Sequence, residues 1–333
     1  MSLLSGKYGR RPPKNAPALR FGNFYRRGTA PPSPATVDYL AALHGGWQML
    51  GNANASDCNA VTLANMRRLV TSTLTARPYY MTQAQVWQFY ETQNPGFDPA
   101  GNPAVNGPGS PLDGGMDIQT GLEYLHATGG PDGVKAVAFA TVDPTNLADV
   151  HAALAIFGGL WLGINVLDAN QQQFSEGVAW TDVPGSPVDG GHAILAGGYT
   201  PDVRFITWAA ETEFDPSFWA GVVQGSPLVE EAWAVIWPEN LGTRQFEAGI
   251  NKAQLEADYL EVTHSPLVWP PTPVVPVPVP APVPAPVVPH DVATMADRIM
   301  WATAGPFADA AQTVPHLVIL QAALDTWSQA KGL

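Results

Sequence analysis

Cysteine is almost absent: the chain of 333 residues has one, Cys58. An intrachain disulfide is thereby excluded, and cysteine usage cannot indicate a redox compartment. Charge is sparse at 14% of residues. No apolar run approaches the roughly 18 residues that suggest a membrane span. The first residues are basic but lack the apolar stretch of a secretory signal. The phosphate-binding GxxxxGKS/T pattern, GxGxxG and the zinc-binding HExxH do not occur. No histidine falls into a metal-ligand spacing with another. No cofactor and no metal is expected.

Apolar side chains are plentiful, at 46% of residues, enough for a sizeable core. Glycine (32) and proline (33) together make about a fifth of the chain, which favours a loop-rich fold with extended segments. The net charge of −13 is uneven: residues 1–37 carry seven Lys or Arg and no acid, so the remainder is more acidic than the whole. Such an asymmetry suits docking of the basic segment onto an acidic surface or nucleic acid; a solvated tail is equally compatible. The acidic body argues against nucleic acid.

Composition divides the chain into four parts. Residues 1–37, with six prolines, read as an extended basic arm, and residues 38–262 as the folded body. Residues 263–290 read as a proline-rich stalk, with eleven prolines between 265 and 290 favouring polyproline II. At ~3.1 Å per residue its repetitive part would reach about 60 Å. Residues 291–333 regain helical spacing and read as a tail that packs on a partner, another copy or the body. Arm and tail are expected to contact other protein subunits of an assembly.

Within the body, helices are expected from Cys58 to Thr73 and from Thr82 to Tyr90. A further helix, capped by Asp117, should run to His126, and another from Thr145 to Phe157. Residues 92–116 read as a long loop. Strands are expected at Val134–Val142, Leu160–Leu167, His192–Tyr199, Val203–Trp208 and Ala232–Trp237. Helices come first and strands later, which points to an α+β fold: a helical half carrying the cysteine and an antiparallel sheet half carrying a histidine.

Cys58 opens its helix. The helix dipole and the free N–H groups there favour thiolate over thiol and can hold an oxyanion, while the neighbouring Asp57 works against the thiolate. The candidate base is His192, in the run GGHAILAGGY: two glycines precede it, next to backbone that a substrate can approach closely, and an apolar strand follows. Considered alone, each residue is more often a buried structural side chain than a catalytic one.

Taken together they resemble the papain family of cysteine peptidases. His192 follows Cys58 by 134 residues, within the family's usual interval of about 130–150. GHAILAGGY is similar to the family's strand around the catalytic histidine, and Gly158 to Gly177 to its buried strand followed by phenylalanine and glycine. MLGNANASDCNA also resembles a branch of papain-like proteins from actinobacterial and phage genomes. The resemblance implies a nucleophile at Cys58, a base at His192 and an oxyanion-binding amide at Asn52, six residues before the cysteine. It also implies an asparagine orienting the histidine, and here the chain departs from the family: aligning the tryptophans puts Ile206 at that position. Thr207 and Glu211 are the remaining candidates, both weak acceptor positions by sequence.

Two functions stay open. One is a cysteine hydrolase acting on peptide or peptidoglycan-like substrates, displayed on a phage virion through the arm and stalk or located in the cytoplasm. The other is a catalytically degenerate papain-like fold serving as a structural or binding virion protein.

Overall fold

The structure, a computed structural model, describes residues 6–43, 46–75 and 77–271. The tail read at 291–333 and most of the stalk lie outside the described residues. From the N-terminal segment come β1 (Leu19–Arg20), α1 (Phe21–Phe24) and β2 (Val37–Asp38). Three helices follow, α2 (Cys58–Thr75), α3 (Gln83–Glu91) and α4 (Ile118–Ala127). Next come β3 (Ala138–Thr141), α5 (Leu147–Phe157), β4 (Leu160–Leu167), α6 (Asp168–Glu176), β5 (Val188–Tyr199), β6 (Val203–Thr207) and β7 (Ala210–Glu213). The described chain closes with α7 (Pro216–Ala220), β8 (Val222–Val223), β9 (Ser226–Pro227), β10 (Val229–Ile236), α8 (Arg244–Gly249) and α9 (Lys252–Thr263).

Local chemistry sets the helix starts. Thr82 caps α3 in a reciprocal capping box with Gln85, and the Asp117 carboxylate accepts from Thr120 N–H at the head of α4. Asn146 does the same for α5, which Gly158 ends in the left-handed conformation at φ 83°. Asp57 is different: it stands directly before α2 with its carboxylate fully buried.

The main sheet has the order β1-β3-β10-β4-β5-β6-β7, with β2 pairing on β5. Only β1–β3 is parallel; the other pairings are antiparallel. Strand periodicity divides two cores across it. From β5 and β10, Ala193, Leu195, Trp233 and Val235 face α2, α3 and α4. Their alternates Ile194, Ala196, Ala232, Ala234 and Ile236 join α1, α5 and α8 on the other face. Each fully buried side chain of Leu or Phe size contributes about 1.5–3 kcal/mol over leaving it exposed. Helix α2 lies close against β5 because Gly197 has no side chain: a Cβ there would stand 2.4 Å from Leu40 Cδ2 and 3.0 Å from Leu69 Cδ2.

The segment read as an extended arm is seated on this body. Leu19, Phe21 and Phe24 are core residues, and β1 adds a strand to the edge of the sheet. Three of its cations meet acids of the body: Arg10 pairs with Glu230 and Glu231, Lys14 with Glu123, and Arg27 with Asp149. A cationic segment with apolar anchors thus lies partly on acidic side chains of the same chain. Among the described residues, no helix is long and apolar enough to cross a membrane.

Candidate active site

Helix α2 presents Cys58 from its first position, and β5 presents His192 opposite. The two elements meet where Ala193 N–H donates to Cys58 Sγ at 3.4 Å. The thiol therefore lies against the peptide unit that joins His192 to Ala193. His192 Nε2 is 2.7 Å from Thr207 Oγ1, at the end of β6. A threonine hydroxyl can accept from Nε2–H, and in that tautomer Nδ1 keeps its lone pair. Nδ1 is buried and without a hydrogen-bond partner among the described residues.

Trp208 roofs the His192–Thr207 bond, its ring 4.9 Å from the imidazole and 5.0 Å from Phe174. It reaches this position through a two-residue turn between β6 and β7, with Trp208 at φ 44° and Ala209 at φ 61°. Two consecutive left-handed residues make a hairpin turn usually built from Asn-Gly. Here the aromatic packing holds a costly conformation in place.

Glu211 is not brought to the imidazole. The β6–β7 register sets it opposite Ile206, and its carboxylate accepts from Trp47 Nε1 at 3.0 Å and pairs with Arg204. Ile206, the residue aligned with the expected asparagine, packs in the helix-side core.

Asn52 is buried, and its amide Nδ2 donates to Lys7 O at 2.9 Å and to Ala55 O at 3.1 Å. One acceptor is thus a carbonyl oxygen of the N-terminal segment. Residues 7–11 run between Asn52 and Met116 on one side and Gly191 of β5 on the other. Lys7 N–H donates to Asn52 O at 2.6 Å, and Gly9 and Arg10 N–H both donate to Gly191 O, at 3.2 and 3.0 Å. Met116 N–H donates to Gly9 O at 2.7 Å, and Arg11 N–H to Met116 O at 2.9 Å. Tyr8 sets its ring edge-on to His192, 5.7 Å between centroids. The glycines before His192 are closely approached by the N-terminal segment: a Cβ on Gly191 would lie 2.6 Å from Arg10 O, and one on Gly190 2.8 Å from the Tyr8 ring.

This covering sets the electrostatics. Cys58 is 2% exposed and His192 1%. Burial pushes the thiol up to about 12; the charge of Asp57 adds to the rise, while the Ala193 N–H opposes it. Burial likewise pulls His192 down to about 3, helped by the Arg10 cation. Both shifts favour the neutral thiol and the neutral imidazole. Burial without compensating dipoles disfavours a thiolate–imidazolium pair.

Sequence reasoning passed over Tyr8, Arg10, Asn165 and the pair Glu230-Glu231. The only local signals were a basic cluster at 7–14 and two adjacent acids entering a strand.

No family model matches the chain, and no curated protein matches it. Solved structures do. Xylellain, a cysteine protease from Xylella fastidiosa, has a TM-score of 0.50 at 14% identity, covering 71% of this chain and 97% of that one. Digestive procathepsin L 3 of the Tenebrio molitor larval midgut has a TM-score of 0.44 at 10% identity, covering 70% and 75%. The Carica candamarcensis cysteine protease CMS1MS2, in complex with E-64, has 0.42 at 11% identity, covering 61% and 98%. The fold is α+β and papain-like.

Proposed function

We propose that the body is a cysteine hydrolase, a peptidase or amidase, kept closed by its own residues 7–11. The contact that carries this reading is the shared peptide unit: Cys58 Sγ lies on Ala193 N–H while the adjacent His192 is held through Nε2 by Thr207. In the open form His192 Nδ1 takes the thiol proton and the thiolate attacks a substrate carbonyl carbon. The oxygen takes the electron pair and is held by Asn52 Nδ2, released from Lys7 O. Collapse expels the amine, which receives the proton from the imidazole, and water then hydrolyses the thioester by the same base. Thr207 positions the ring and Trp208 keeps water from that bond. The similarity to a structure described as a cysteine protease agrees with this chemistry. The substrate class is a peptide or a peptidoglycan-like amide.

The test is thiol labelling of the full chain by a peptidyl electrophile across pH, with residues 7–11 destabilised by Tyr8→Ala. Labelling well below pH 8 that is lost on adding His192→Ala supports a hydrolase; an ordinary thiol titration overturns it.

A second reading is a papain-like fold used for binding or presentation, for example on a virion. It draws on the absent orienting asparagine and on the stalk and tail, segments suited to displaying a domain at a distance. A Tyr8→Ala chain that exposes Cys58 but turns over no peptide, denatured protein or peptidoglycan favours it.

A further inference from the structure

Arg10 reaches from the covering strand into a pocket of the sheet half. Its Nη2 lies 2.6 Å from Glu230 Oε2 and donates to Asn165 Oδ1 at 3.0 Å, while Nη1 lies 3.2 Å from Glu231 Oε1. Adjacent residues of a regular strand point to opposite faces, so Glu230 and Glu231 should not share a partner. They do so because β10 carries a bulge: Val229 pairs with Ile164 and Glu231 with Gly163, leaving Glu230 as the extra residue. Gly163 makes the room, since a Cβ there would stand 2.5 Å from Glu231 Cγ and 2.7 Å from Arg10 Cδ. Trp233 Nε1 fixes the second oxygen of Glu231 at 2.8 Å, and Asn165 Nδ2 is anchored on Pro227 O at 3.0 Å.

The pocket is thus shaped by a bulge, a glycine and two anchored acceptors, and it is filled by a side chain only 2% exposed. Arg10 arrives on backbone that Gly191 and Met116 hold by N–H and C=O alone. Those bonds recognise any extended peptide, so choice among peptides falls to the side-chain pocket. Two carboxylates and an amide oxygen match the forked, always-charged guanidinium better than an ammonium, and reject a neutral urea.

We propose that Glu230, Glu231 and Asn165 form a specificity pocket for an arginine side chain of the substrate, and that Arg10 occupies it as the internal stand-in. This rests on the hydrolase reading for its consequence in turnover, but binding can be tested without it. The full chain carrying Arg10→Ala is titrated with N-acetyl-arginine methylamide, the lysine analogue and the neutral citrulline analogue, by calorimetry. The arginine compound should bind at least tenfold tighter than the citrulline one, with lysine between, and the parent chain should bind none of them measurably. Adding Glu230→Gln and Glu231→Gln should remove the difference. If Arg10→Ala does not fold, Arg10→Met keeps the apolar stem and empties the charged end, and the same titration applies.

Equal binding of arginine and citrulline compounds, or selectivity that survives the double glutamine change, overturns the pocket. Selective binding without hydrolysis of any arginine-containing peptide leaves the pocket standing and overturns the hydrolase reading.

Discussion

His192 Nε2 and Thr207 Oγ1 are 2.7 Å apart, and a hydroxyl thereby stands where the papain-like pattern leads one to expect an amide. The Thr207→Val chain keeps the shape and removes the acceptor. It should lose about 1–3 kcal/mol of stability, because Nε2–H is left buried and unpaired. On the hydrolase reading, kcat of the Tyr8→Ala chain should fall about tenfold or more on adding Thr207→Val while KM changes little, with Thr207→Ser restoring most of it. Unchanged stability and turnover in Thr207→Val would show that the bond does not position the ring.

The covering strand makes Cys58 slow to react. With the thiol pushed up to about 12 and 2% exposed, the parent chain should label at neutral pH far more slowly than a free thiol. Replacing Tyr8 by alanine removes the ring that lies edge-on to His192, and labelling should rise at least tenfold. Mass spectrometry of the quenched reaction reads both rates; equal rates would mean that Tyr8 does not control access.

Acid should destabilise the fold through His192. Its value is pulled from 6.5 to about 3 by burial, so the unfolded chain takes up the proton first. The stabilisation from a neutral His192 is present above about pH 6.5 and is lost as pH falls towards 3. The urea midpoint should drop over that window, and His192→Gln should show a shallower drop. Parallel curves for the two chains would contradict this.

Asp57 works in the opposite direction. Burial raises its carboxyl well above 3.8, with the charge of Asp113 adding to the rise. A raised acid favours the fold when protonated, so its contribution is complete below about pH 3.8 and is lost as pH rises through the folded value. Asp57→Asn, of nearly the same shape, should melt with the parent near pH 4 and above it at pH 8. A constant gap across pH would rule out titration of Asp57 as the cause.

The β6–β7 turn carries a cost that glycine removes. Ala209 sits at φ 61°, where a Cβ costs about 1–2 kcal/mol, partly offset by the greater freedom of glycine in the unfolded chain. Ala209→Gly should therefore raise the melting temperature, by an amount corresponding to up to about 1 kcal/mol. A fall would mean that the Ala209 methyl packs more favourably than the turn costs.

Much of the body is legible because local signals and tertiary structure agree. Asp117 and Thr82 start the expected helices, Gly158 ends α5, and Leu160–Leu167 is a strand along its full length. The shape of the site is harder to read. Thr207 and Glu211 look alike as candidates in the sequence; the β6–β7 register separates them, sending Glu211 to Arg204 and Trp47. Prolines and cations in residues 1–37 suit an extended segment in solution as well as one laid on a surface. The difference lies in Phe21, Phe24 and the acids at 230 and 231, which only the folded sheet brings within reach.

The pairing of Arg10 with Glu231 spans 221 residues of sequence. A chain made from its N-terminus exposes Arg10 long before its carboxylate partners exist. The Arg10 ion pairs therefore cannot form until β10 has joined the sheet.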